Sequence, residues 1–279
     1  MKGPILITGC STGIGRATAE RLAGAGHTVY ATARRPESVA DLEAKGCRTL
    51  ALDVDNEQSM QDAVAAVEAA EGPVGALVNN AGYSQSGAVE SVNIDDVRSQ
   101  FETNVFGLIR MCQLVLPGMR SAGRGRIVNV SSMGGRLVFP GGGIYHATKY
   151  AVEALSDATR FEVEGFGVDV VLIEPGLITT EFATAASAAL DSGTAGDGPY
   201  ADFNRAVGES TRGAYEGPTA KLGGPPDAVA KAIEKALGAR RPKTRYPVTP
   251  SARLIMGQRR LLSDRLWDRF VGTQFPRPR

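Results

Sequence analysis

Residues 5–15 read Ile5-Leu6-Ile7-Thr8-Gly9-Cys10-Ser11-Thr12-Gly13-Ile14-Gly15. The opening Ile5-Leu6-Ile7 is a short apolar run, consistent with a buried strand. After the glycines, Ala17, Ala19, Leu22 and Ala23 recur at helical spacing, and Gly24 to Gly26 end the helix. The order is strand, Gly-rich turn, helix. Glycine lets a backbone turn sharply and approach a pyrophosphate closely. The helix N-terminus adds free N–H groups and a positive partial charge. A Gly-rich turn without a ligand is the plainer alternative; the strand before it and the helix after it favour phosphate binding.

Working outward, Thr28-Val29-Tyr30-Ala31-Thr32 reads as the second strand. In a dinucleotide site the position after that strand meets the adenosine ribose. An acid there accepts hydrogen bonds from the 2′-hydroxyl, whereas arginine accommodates a 2′-phosphate. The chain has Arg34 and Arg35 there and no acid before Glu37. Guanidinium pairs well with phosphate, so the expected cofactor is NADP(H) rather than NAD(H). The alternative is that both arginines face solvent and Glu37 turns in. Val39 to Lys45 reads as a short helix and Arg48 to Val54 as the third strand. Asp53, at its end, either reaches an adenine amino group or caps the next helix. That helix, Gln58 to Glu71, carries Met60, Val64 and Val67 on one face, and Ala76 to Asn79 runs as a fourth strand into Asn80-Ala81-Gly82. Strands alternating with helices imply a parallel sheet with right-handed crossovers, an α/β doubly wound fold of the Rossmann type. The motifs at Gly9, Arg34, Asp53 and Asn80 all fall at strand carboxyl ends, where such sheets bind ligands.

Composition narrows the class. A chain of 279 residues, 43% apolar and 22% charged, can bury a full core. Its net charge of +1 gives no case for a nucleic-acid partner. Cys10, Cys47 and Cys112 lie far apart, suggesting a reducing compartment without disulfides. His27 and His146 form no usual zinc spacing with them, so no metal is expected. The first apolar run is too short for a signal or membrane segment, so a cytoplasmic location is expected.

Further on, Tyr145-His146-Ala147-Thr148-Lys149 places a phenol and an ammonium four residues apart, on one face of a helix. A nearby ammonium stabilises phenolate and makes the phenol a readier proton donor. A hydroxyl such as Ser132 can hydrogen-bond a substrate oxygen as charge builds on it. These groups suit proton transfer to or from a carbonyl or alcohol oxygen. Alone, Tyr-x-x-x-Lys is far more often a solvated helix face.

Together the motifs resemble the short-chain dehydrogenase/reductase family over roughly residues 3 to 182. The matching pieces are Thr8-Gly9-x-x-x-Gly13-Ile14-Gly15, Asn79-Asn80-Ala81-Gly82, Asn104, Ser131-Ser132, Tyr145-x-x-x-Lys149 and Pro175-Gly176. They stand in the family's order and at its separations. The resemblance implies that Tyr145 is the general acid/base and that Ser132, thirteen residues before it, holds the substrate oxygen. It implies that Lys149 binds the nicotinamide ribose and lowers the tyrosine pKa. Asn104 would hold, through its main chain, a water linking Lys149 to solvent; a satisfied buried amide is the alternative. For Ser131 the expectation is a strand-end hydroxyl bonded to backbone. Cofactor contacts are implied along Ser11, Thr12, Gly13, Ile14 and Gly15, at Val54, through the backbone of Asn80 with Ala81 and Gly82, and at Pro175 and Gly176. Ile178 and Thr180 would position the carboxamide.

The loop Met133 to Ile144 carries Leu137, Val138, Phe139 and Pro140, and Leu177 and Phe182 lie near the Pro-Gly turn. They suggest an apolar substrate pocket or plain core. Residues 181–220 correspond to the family's substrate lid. Asp227 is a possible cap for a helix over Pro226 to Leu237. We expect one domain over residues 1–250 and a basic helical extension over 251–279, packed on that domain or a partner subunit. Contact with a membrane surface is a further option for the extension. This ending, with Thr8-Gly9-Cys10-Ser11 and Phe101 to Gly107, looks more like the 17β-hydroxysteroid-dehydrogenase-like branch than the oxoacyl-carrier-protein reductases. The expected function is hydride transfer between NADP(H) and an apolar ketone or secondary alcohol. The alternatives are a 3-oxoacyl thioester reductase and a catalytically silent NADP(H) sensor. The resemblance also implies a homodimer or homotetramer through helices near 98–120 and 146–165.

Overall fold

The computed structural model describes residues 2–180, 198–275 and 277–278. Its seven strands are β1 (Ile5–Ile7), β2 (Val29–Ala33), β3 (Arg48–Ala51), β4 (Ala76–Asn79), β5 (Gly125–Val130), β6 (Val168–Pro175) and β7 (Arg245–Val248). They form one parallel sheet in the order β3-β2-β1-β4-β5-β6-β7. The chain runs outward from β1 to β3, returns to β4 beside β1, then runs outward to β7. The loops leaving β1 and β4 therefore diverge and open a crevice at the strands' carboxyl ends, as in other doubly wound sheets.

The described helices are α1 (Gly13–Gly24), α2 (Glu57–Glu71), α3 (Ile94–Phe101), α4 (Gly107–Ser121), α5 (Gly143–Val163), α6 (Ala201–Glu216), α7 (Pro226–Gly238), α8 (Pro250–Leu261) and α9 (Asp264–Gly272). Successive side chains of β1 point to opposite faces, as the pleat demands. Ile5 and Ile7 enter one core with Leu22 of α1 and Val229 and Ile233 of α7. Leu6 enters the other with Met60 and Val64 of α2 and Met111, Val115 and Met119 of α4. Both sheet faces are covered, which is why the central strands read as unbroken apolar runs. No described helix is long and apolar enough to cross a membrane.

Several boundaries differ from the sequence reading, each for a local reason. Strand β3 lies at the sheet edge and stops at Ala51, so Leu52, Asp53 and Val54 leave it as a turn. Asn56, not Asp53, caps α2: its side chain accepts the Ser59 N–H at 2.9 Å, while Asp53 accepts the Asp55 N–H at 3.1 Å. The short helix expected over Val39 to Lys45 is a 3₁₀ helix over Ala40–Lys45. Asp227 does not cap α7, which starts at Pro226. Its carboxylate, inside the first turn, accepts two hydrogen bonds from Arg21 of α1, at 2.9 and 2.8 Å. Tyr246-Pro247-Val248 belongs to an edge strand, where proline's missing N–H costs least. The tail is two helices, broken at Leu262-Ser263.

Behind β6, Glu174 and Glu153 are both buried, with Arg245 serving both. Burial, then the charge of Glu153, raises the Glu174 carboxyl to about 7 from 4.5. The native state thus holds this proton more tightly than the unfolded chain. The contribution to stability is full below pH 4.5 and is lost as pH rises through about 7. Glu174→Gln cannot ionise, so it should gain on the wild type between pH 5 and pH 8. The gain should be up to about 3 kcal/mol, reduced by whatever the contact with Arg245 contributes. Urea unfolding at the two pH values measures it, and an equal difference at both would refute the burial argument.

Candidate active site

A cavity of about 810 Å³ runs across the carboxyl ends of the strands. Arg34, Asp53 and Val54 line one end, and Phe139, Val207, Tyr215 and Phe275 the other. Gly9, Ser11, Thr12, Gly13, Ile14, Asn80, Ala81 and Gly82 lie between, followed by Ser132, Tyr145, Lys149, Pro175, Gly176, Ile178 and Thr180. Arg35 is exposed and does not line the cavity. Gly15 sits behind the wall.

The glycine turn is held from below. A Cβ at Gly15 would lie 2.2 Å from Gly9 O and 2.5 Å from Asn80 Nδ2, so no side chain fits there. The Asn80 side chain donates to Thr8 O at 3.0 Å and Gly9 O at 2.9 Å, locking the turn to the end of β4. The Thr8 hydroxyl accepts the N–H groups of Asn80 and Ala81, both at 3.0 Å. Sequence reasoning gave Asn80 a backbone role and missed this side-chain clamp. Thr12, at the N-cap of α1, makes no side-chain capping bond. First-turn N–H groups therefore remain available beside the cavity, and this turn fits the pyrophosphate of a dinucleotide.

At the reacting end, α5 begins at Gly143 and brings Tyr145 and Lys149 to the same wall. Ser132 follows β5 and caps a 3₁₀ turn; its Oγ accepts the Gly134 N–H at 3.0 Å. That bond occupies the oxygen as acceptor and leaves its proton for donation. Burial pushes the Tyr145 phenol above its ordinary value, and a hydrogen bond with Ser132 partly offsets this. The Lys149 Nζ lies 5.8 Å from the Tyr145 ring centroid and donates to Val130 O at 2.9 Å. Burial brings this amine down to about 8, with Glu153 one turn on opposing the shift. Desolvation is the largest influence on both groups.

Asn104 sits in a π-helical turn, Glu102–Phe106, between α3 and α4. Its amide donates to Tyr83 O at 2.9 Å and to Thr148 Oγ1 at 3.0 Å and accepts the Tyr83 N–H at 3.0 Å. The side chain is thus a satisfied buried brace between the loop after β4 and α5, and it does not line the cavity. Ser131 departs from expectation. Its N–H bonds Ile173 O at 2.8 Å, but its buried Oγ has no partner among the described residues. Of the apolar loop, Leu137 is core, Val138 is exposed, and Phe139 and Pro140 face the cavity. Leu177 also lines it; Phe182 and residues 181–197 of the expected lid fall outside the described residues. His146, Tyr215 and Phe275 line the cavity too; nothing in the sequence assigns a role to His146, an unspecified position inside Tyr-x-x-x-Lys, and Tyr215 and Phe275 lie outside any recognisable motif.

A family model described as short chain dehydrogenase matches residues 4–191. A 3-ketodihydrosphingosine reductase from Bacteroides thetaiotaomicron is 43% identical over 179 residues, covering 64% of this chain and 65% of that protein. An NADPH-dependent 3-dehydrocapnine reductase from Ornithobacterium rhinotracheale is 33% identical over 275 residues, covering 95% and 94%. Among solved structures, a short-chain dehydrogenase from Streptomyces avermitilis superposes with a TM-score of 0.75 at 35% identity, covering 92% of this chain and 91% of that one.

Proposed function

Since the chain belongs to the short-chain dehydrogenase family, we propose that it is an NADP(H)-dependent oxidoreductase acting on an apolar ketone, or in reverse a secondary alcohol. The observation that carries this reading is one continuous cavity with a phosphate-fitting glycine turn in its middle and Ser132, Tyr145 and Lys149 beyond it. Arg34 at the far end favours a 2′-phosphate, and a relative named as NADPH-dependent supports the same choice.

A bound nicotinamide supplies the hydride chemistry. The protein handles the oxygen. Ser132 donates its hydroxyl proton in a hydrogen bond to the substrate oxygen, and Tyr145 transfers its phenolic proton to that oxygen as charge develops. The protonated phenol is the acid that reduction needs, and alcohol oxidation would start from the phenolate. Lys149 would hold the nicotinamide ribose and steady the phenolate left after transfer. Asn104 braces the helix that carries both. Phe139, Val207 and Phe275 give the substrate end an apolar wall. We take the branch to be the 17β-hydroxysteroid-dehydrogenase-like one, on its tail and its Phe101 to Gly107 segment. The same reading gives a cytoplasmic protein, with residues 251–279 extending one domain. A homodimer or homotetramer would use α4 and α5, whose neighbourhood exposes Phe106, Tyr150 and Phe161.

The test is purified protein with NADPH and a panel of apolar ketones, following loss of reduced-nicotinamide absorbance. Tight NADPH binding with no consumption by any carbonyl would instead support a sensor.

A further inference from the structure

His146 follows Tyr145 directly, is 8% exposed, and has both ring nitrogens engaged. Its Nδ1 lies 3.0 Å from Gly134 O, and its Nε2 lies 3.2 Å from the Phe139 N–H. A carbonyl only accepts and a peptide N–H only donates. Nδ1 must therefore carry the proton and Nε2 must be bare, which leaves one neutral tautomer. Burial, which disfavours the imidazolium, pushes the same way. The fit at Gly134 is close: a Cβ there would sit 2.4 Å from Nδ1.

These two anchors lead to different parts of the cavity. Gly134, held through its carbonyl by His146, donates its own N–H to Ser132 Oγ. Phe139, held through its N–H, turns its ring toward Trp267 and Phe275, with centroids 5.8 and 6.4 Å away. Trp267 Nε1 in turn donates to Val138 O at 3.3 Å, fixing α9 to the same loop. One imidazole thus ties the oxygen-binding hydroxyl and the apolar substrate wall to the helix that carries Tyr145.

We propose that His146 is a positioning residue with two separable tasks: Nδ1–H sets Ser132 through Gly134, and Nε2 sets the Phe139 wall. The inference rests on Ser132 and Tyr145 meeting the substrate oxygen, as argued above. The two tasks can be split by side-chain length. In His146→Asn the amide nitrogen can reach Gly134 O while Phe139 loses its acceptor. In His146→Gln the amide oxygen can reach the Phe139 N–H while Gly134 loses its donor.

The Asn variant should raise KM for an apolar ketone about tenfold and change kcat little, as expected for loss of uniform substrate binding. The Gln variant should lower kcat by about ten- to a hundredfold with KM near the wild-type value, as loss of oxyanion alignment predicts. NADPH affinity should stay within about twofold in both, which shows that each is folded. Amide hydrogen exchange reads the same split without substrate. The Phe139 amide should exchange about tenfold faster in the Asn variant, and the Gly134 amide about tenfold faster in the Gln variant. Equal losses in both variants, or exchange unchanged at both amides, would overturn the proposal. Because exchange needs no ketone, a failed ketone assay with the expected exchange split would count against the reductase reading alone.

Discussion

Tyr145→Phe should lower kcat by about three orders of magnitude while NADPH binding stays within a few-fold of wild type. Positioned general acids contribute about 10²–10⁴-fold. Phenylalanine keeps the ring, so the contact with Lys149 and the ring contact with His146 at 5.7 Å survive. Only the hydroxyl is lost. Ser132 can still donate a hydrogen bond to the substrate oxygen but has no acidity to spare near neutral pH. Lys149 Nζ still donates to Val130 O at 2.9 Å. Pre-steady-state reduction of the best ketone, with NADPH affinity measured by fluorescence, separates chemistry from binding. A variant within tenfold of wild-type turnover would remove Tyr145 from the mechanism.

Arg34→Asp should weaken NADPH binding by about 10²–10³-fold and leave NADH binding equal or better. A charge-assisted hydrogen bond to phosphate is worth about 1.5–3 kcal/mol, and reversing the charge adds repulsion. About 1.4 kcal/mol is tenfold in affinity. Arg34 follows Ala33, the last residue of β2, and lines the cavity. It makes no hydrogen bond or ion pair among the described residues, so its loss should not disturb the fold. Arg35 is the internal control. It lies outside the cavity lining at the N-cap of a 3₁₀ turn, and Arg35→Asp should cost about tenfold or less. Titration of each variant with both coenzymes decides the matter. If Arg34→Asp and wild type bind NADPH alike, the 2′-phosphate assignment is wrong.

Much of this arrangement could be read before any coordinates. A strand, a glycine turn and a helix have strong local signatures, and their repetition implies the parallel sheet and the crevice above it. Residues that must sit at strand carboxyl ends follow from that. Arg34, Asp53, Ser132 and Tyr145 share one cavity because the topology puts them there. What was hidden depends on partners distant in the chain. Asp227 looked like a cap because nothing local reveals Arg21. The third strand was read too long because an edge position cannot be inferred from its own residues. Asn80 and Asn104 have conspicuous positions, but their side-chain partners come from other segments. His146 was read only for what it does not do with cysteines. Its two partners, Gly134 and Phe139, belong to a loop whose path no periodicity describes. The burial of Tyr145 and Lys149 was also out of reach, since the segments that cover them are distant in the chain.

Arg21 and Asp227 are 206 residues apart, and α1 shares its core with α7. During synthesis α1 is made about two hundred residues before the surface that shields it. Contacts between such distant segments form slowly, because a long loop must close first. The nucleotide-binding half, for all its local regularity, cannot finish folding as the nascent chain emerges. A truncated or stalled product ending before Pro226 would leave Leu22 and the β1 face uncovered, inviting chaperone capture or aggregation.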